Sequence, residues 1–106
     1  MQTALYNARQ HRLLRRRGSP RNTAVPVVTG TTTVGQTLTC SNGTWTNAPL
    51  GYRRVWRRGG TIISGATAPT YVLVLADQGQ IITCTVTALN KYGSAGATSA
   101  AVGPVT

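Results

Sequence analysis

The sequence predicts an all-β domain, a two-sheet sandwich of about seven short strands, preceded by a basic N-terminal arm. Three observations carry this reading. From Val25 onward, short alternating runs of apolar and polar residues are separated by turn residues. That part is rich in Thr, Val, Ala and Gly and poor in charge, which suits strands and turns more than helices. The charge is concentrated ahead of it: "RQHRLLRRRGSPR", residues 9–21, carries six arginines, one histidine and no acid.

The 106 residues suffice for one domain. The expected division is a docking arm over 1–21 and a sandwich over 22–106. Within the arm, Leu5, Ala8, Arg9, Arg12, Leu13 and Arg16 fall at spacings of three and four, the pattern of a short helix that Gly18, Ser19 and Pro20 would end. Nucleation is costly and like charges repel, so such a helix is expected only when docked. "GSPRNTAVP" reads as a linker. "AVPVVTG" reads as a first strand, at an edge because of Pro26. "QTLTCS" is the second, with Leu38 and Cys40 on one face and Thr37 and Thr39 on the other. "YRRVWRR" is the third, closed by a turn at Gly59-Gly60, and "TIIS" a short fourth. "TYVLVLA" is the fifth, with Tyr71, Leu73 and Leu75 toward the core. "QIITCTVTA" is the sixth, with Ile82, Cys84, Val86 and Ala88 inward, and "GATSAAVGPV" the last.

The formal net charge is +10, eleven Lys and Arg against one acid, Asp77. Six of those charges lie in the arm. Residues 22–106 hold Arg53, Arg54, Arg57, Arg58 and Lys91 against Asp77, a net +4. This asymmetry points to an anionic partner for the arm. No signal-peptide h-region is visible, and the longest apolar run, "YVLVLA", is far too short to span a bilayer. The chain begins with Met1 and is expected to be a complete gene product, made in a cytoplasm and not exported by the general route.

Residue inventory argues against catalysis. A glycosidase needs two carboxylates, and there is one acidic side chain. A hydrolytic triad needs a histidine held beside a nucleophile, and the only histidine, His11, lies in the arm. Two cysteines and one distant histidine do not make a zinc site. No enzyme activity, metal or cofactor is expected. Asp77 reads as a turn-shaping residue between the fifth and sixth strands. Trp45 reads as a cover for the end of the core, with carbohydrate stacking as the alternative. Period two puts Arg53, Val55 and Arg57 on the outer face of the third strand, and Val72 and Val74 on the outer face of the fifth. These five residues are candidates for a contact face, against the alternative of a solubilising sheet surface.

Cys40, Trp56 and Cys84 fall on the second, third and sixth strands, the order of an immunoglobulin-type sandwich in which a bridge between sheets packs against a tryptophan. Both cysteines point inward on this assignment, so a Cys40–Cys84 disulfide is expected, closing a loop of about 44 residues worth up to about 4 kcal/mol. The alternative is two unrelated buried thiols. "VGQTLTCSNGTWT" and "ISGATAPTYVLVLADQGQIITCTVTALNKYGSAGATS" resemble the immunoglobulin-like domain of tailed-bacteriophage virion structural and decoration proteins. The resemblance covers roughly residues 26–106 and leaves the arm outside. One departure is Ile82, two residues before the second cysteine, where antibody domains carry a tyrosine, so no tyrosine corner is expected. Another is Arg54, which shares a face with Tyr52 and Trp56 and needs a rim position or a partner.

The resemblance implies a capsid decoration or other head or tail accessory protein, located in the virion after assembly. The arm residues Arg9, Arg12, Leu13, Leu14, Arg15, Arg16, Arg17 and Arg21 would dock it. The implied partners are the major capsid protein or another virion protein with an acidic surface, with self-association on the particle and a weak host-surface glycan contact as further partners, and no membrane. The competing readings are a nucleic-acid-binding protein using the arm on phosphates, and a bacterial surface adhesion or carbohydrate-binding module.

Overall fold

The computed structural model describes residues 18–106. The helical pattern over residues 1–17, with Arg9, Arg12, Leu13, Leu14, Arg15, Arg16 and Arg17, lies outside the described residues. Among the described residues nine strands follow one another: β1 (Arg21–Ala24), β2 (Val28–Thr29), β3 (Thr37–Cys40), β4 (Thr44–Thr46), β5 (Gly51–Arg58), β6 (Thr61–Ile62), β7 (Thr70–Val72), β8 (Ile82–Asn90) and β9 (Gly93–Thr98). All strand pairing is antiparallel. The sheets are β2-β3-β7, β6-β5-β8-β9 and the two-stranded β1-β4.

Two sheets share one core because alternate residues of their strands turn inward. Leu38 and Cys40 leave β3, and Ile82, Cys84, Val86 and Ala88 leave β8; all are buried. Trp56 on β5 is fully buried among Leu38, Cys40, Leu73 and Cys84. Its Nε1–H donates to the Ala68 carbonyl at 2.8 Å, so the indole carries no unsatisfied donor into the core. Its ring stacks on Tyr71 of the opposite sheet, with centroids 5.6 Å apart. Each large apolar side chain so buried contributes about 1.5–3 kcal/mol.

Four sequence expectations need correction. The stretch read as a linker contains β1, whose Arg21 pairs with Thr46 and whose Asn22 pairs with Trp45. Arg21 therefore belongs to the sheet, beside β4. The single first strand is split into β1 and β2 around a buried Pro26. The chain crosses closely there: a Cβ at Gly43 (φ +76°) would lie 2.6 Å from the Ala24 carbonyl oxygen. The fifth strand stops at Val72, and Leu75–Asp77 forms a 3-10 turn that leaves Leu75 exposed instead of in the core. The last strand lies earlier, at Gly93–Thr98. Beyond it only single bridges persist, Val102 to Ile82 and Val105 to Gln78.

β8 and β9 join through a tight turn at Lys91 and Tyr92, closed by the Tyr92 amide donating to Asn90 Oδ1 at 2.8 Å. Asn90 Nδ2 also donates to the carbonyls of Gly18 and Asn47, and Asn47 Nδ2 to that of Ser19. The start of the described chain is thus sewn to one pole of the domain. A chain beginning at Gly18 should melt cooperatively with a β-type circular dichroism spectrum. One beginning at Val25 loses β1 and the two bonds to Gly18 and Ser19, and should melt lower by at least about 4 °C. Equal midpoints would show that β1 adds nothing.

Candidate interaction surface

β5 organises the charged surface, because its arginines alternate between two faces. Arg53, Val55 and Arg57 stand opposite Thr87, Thr85 and Thr83 of β8 and point away from the core. Thr85 in turn pairs with Thr98 of β9, their hydroxyls 2.8 Å apart. Thr87 pairs with Gly96, which adds no side chain, so the face stays low. The result is a threonine-rich sheet surface edged by two arginines. Val72 pairs with Thr37 on the other sheet, and Val74 follows it. The five residues expected as one contact face therefore belong to two sheets. The β2-β3-β7 surface, with exposed Thr29, Thr37, Thr39, Thr70 and Val72, is uncharged. Period two identifies the side of a strand, but not the sheet to which that strand belongs.

The remaining arginines of β5 turn inward. Arg54 donates to Asn42 Oδ1 through Nη2, while its Nε is buried without a partner. This is the partner that its face required. Arg58 reaches Asp77, with Nε 2.6 Å from Oδ1. Asp77 is fully buried and also accepts from the Tyr71 hydroxyl at 2.7 Å and from the Val74 amide at 2.8 Å. The Val74 bond fits a turn-shaping role. The ion pair was not anticipated, although Arg58 shares the inward face with Trp56 and Asp77 is the chain's only acidic side chain. Burial works against the carboxylate, but the Val74 amide, the Tyr71 hydroxyl and Arg58 outweigh it and hold the carboxyl below its ordinary value.

Cys40 and Cys84 are both buried, as free thiols on facing strands beside Trp56. Burial pushes the Cys84 thiol well up, and its Cys40 neighbour pushes further, against the opposing charge of Arg54. Such a thiol supplies little thiolate and is a poor nucleophile. Among the described residues no group of three His, Cys, Asp or Glu side chains could hold a metal ion. No helix among them is long and apolar enough to cross a membrane.

The arm leaves at Gly18, beside the β8–β9 turn. Asp77 and Arg58 lie at the opposite pole, where β5 ends and β8 begins. Of the expected docking residues only Arg21 is described, exposed on β1. These residues define an all-β domain of antiparallel sheets whose one acid is paired with Arg58 at the pole opposite Gly18. No family model matches the chain, and neither a curated protein nor a solved structure matches it.

Proposed function

We propose that this chain is a virion structural protein that anchors to an acidic protein surface through its basic arm and displays an immunoglobulin-like sandwich. The observation that carries this reading is the segregation of charge. The only acidic side chain is buried against Arg58, so the arm's arginines find no acidic side chain of their own chain to pair with. Their partner has to come from another molecule, and assembly requires no catalytic group. The immunoglobulin-like assignment draws support from the sheet orders β2-β3-β7 and β6-β5-β8-β9, with Cys40 on β3, Trp56 on β5 and Cys84 on β8.

The test is co-sedimentation of the full chain with empty, DNA-free shells of the phage that encodes it. Binding to empty shells is expected. Binding to free DNA or DNA-filled particles alone would replace this reading with the nucleic-acid one. Capsid, portal or tail genes beside its own would agree with it.

The same reading expects the neighbouring thiols to oxidise once the particle leaves the reducing cytoplasm. Non-reducing mass spectrometry of mature particles should find one Cys40–Cys84 linked peptide pair, and two alkylatable thiols would refute the bridge. With the bridge formed, Cys84→Ser should destabilise by about 2–5 kcal/mol.

A further inference from the structure

The pole at which the arm leaves carries a cavity of about 300 Å³ lined by Asn47, Ala48, Leu50, Asn90, Lys91 and Tyr92. The geometry points to this cavity as a second contact of the anchor: it receives an apolar side chain from an acidic segment of the protein that holds the arm. The inference rests on the anchoring reading and adds to it a site and a ligand chemistry.

Two independent features select this occupant. The first is apolar exposure. Leu50 is 80% exposed and Tyr92 45%, both at the same cavity, although a domain gains from burying such side chains. Its wall is also preset. Asn47 and Ala48 both sit in the left-handed region (φ 65° and 47°), a conformation costly for alanine, and the Asn90 amide on the Asn47 carbonyl holds that loop in place. The second is charge. Lys91 Nζ lies 5.2 Å from the Tyr92 ring centroid, at the cavity rim. Gly18, where the arginine-rich arm joins, is bonded to the Asn90 that lines the cavity. The chain's only acid is at the other pole, inside an ion pair. An apolar floor with Lys91 at its rim, beside the Gly18 at which the arginine-rich arm joins, suits a leucine-type side chain flanked by carboxylates. A phosphate backbone would satisfy the cations and leave the floor uncovered. A second copy of this chain would bring the same cations to the same rim.

The test uses the ¹⁵N-labelled full chain and two capped peptides, Glu-Glu-Leu-Glu-Glu and Glu-Glu-Gly-Glu-Glu. Both should shift the arm arginine resonances. Only the leucine peptide should move the Ala48, Leu50, Asn90 and Tyr92 amides, and it should bind about tenfold more tightly. Leu50→Ser should cut that preference to less than about twofold while leaving the glycine peptide's affinity unchanged. Tyr92→Ala is the second variant should the first fold poorly. Equal binding of both peptides, a preference that survives both variants, or larger cavity shifts from a short DNA duplex would each overturn the proposal. Equal peptide binding together with retained shell binding would remove the cavity and leave the anchor. Failure of the wild type on empty shells would remove the anchor itself.

Discussion

Replacing Asp77 with alanine should cost the domain about 3–5 kcal/mol, the largest loss expected from any single substitution at a polar residue of this chain. Three groups lose their acceptor at once: the Arg58 guanidinium, the Tyr71 hydroxyl and the Val74 amide. Arg58 is left partly buried without a counter-charge, the arrangement in which breaking a pair costs more than never having made it. The Val74 amide also sets the 3-10 turn that ends β7, so the loss reaches the strand carrying Tyr71. A domain of this size has a total stability of about 5–15 kcal/mol. The melting midpoint should therefore fall by about 15 °C or more. Asp77→Asn keeps an acceptor but not the charge, and should fall between alanine and wild type. A midpoint within about 3 °C of wild type for Asp77→Ala would show that the cluster is not a support of the fold.

The pH dependence follows from the same carboxyl. Its value in the folded chain is held below the unfolded one, which is about 3.9. A depressed acid contributes stability that is fully present above the unfolded value and is lost as pH falls through the folded one. Urea midpoints of the wild type should therefore be level from about pH 5 to 7 and drop below about pH 4. Asp77→Ala should be lower throughout, with most of that acid-side drop gone.

Changing Arg12, Arg15, Arg16 and Arg17 together to glutamine should release the protein from its particle and leave the domain's melting curve unchanged. These residues precede the described strands in the sequence, and the one acid they might pair with is buried against Arg58. On the proposed anchoring role, their favourable contacts are intermolecular. At physiological salt, screening limits attraction to about 8 Å, so retention needs close contacts with carboxylates and not a diffuse field. Leu13 and Leu14 should add about 1.5–3 kcal/mol each when covered. Salt should then weaken attachment without abolishing it, whereas an arm bound to phosphates would lose affinity linearly in the logarithm of salt concentration. Sedimentation of both proteins with empty shells across a salt series separates the two. Quantitative co-sedimentation of the glutamine variant would refute an anchoring role for these arginines.

How much was legible in advance varies by element, for physical reasons. β8 was readable because every second residue from Ile82 to Ala88 is apolar and buried, and a half-buried strand writes that alternation directly. Cys40 and Leu38 on β3 follow the same rule. β1 was not readable, since Arg21–Ala24 is polar and is a strand only because Thr44–Thr46 lies beside it. β7 was drawn too long because "VLVLA" continues the apolar pattern, while the bond that ends the strand runs from the Val74 backbone to the Asp77 side chain, outside any hydropathy period. Arg58 could have been found: period two set it inward with Trp56, and a chain with one acid leaves little choice of partner. The pole cavity left no signal, because Leu50 and Tyr92 come from separate loops that meet only when β5 pairs with β8.

The placement of Gly18 and Thr106 has a mechanical consequence. Gly18 sits at one pole. Thr106 is tied at the other, donating its amide to Thr32 and accepting from that of Val34. Tension applied between them runs along the strands. It would draw β1 past β4, and the segment after β9 past β8, so that ladder bonds resist together in shear instead of opening one by one like a zip. A domain tethered at its base and tugged at its tip is then loaded in its stiffest direction, and its lifetime under such a pull is set by the unfolding rate, not by the equilibrium stability.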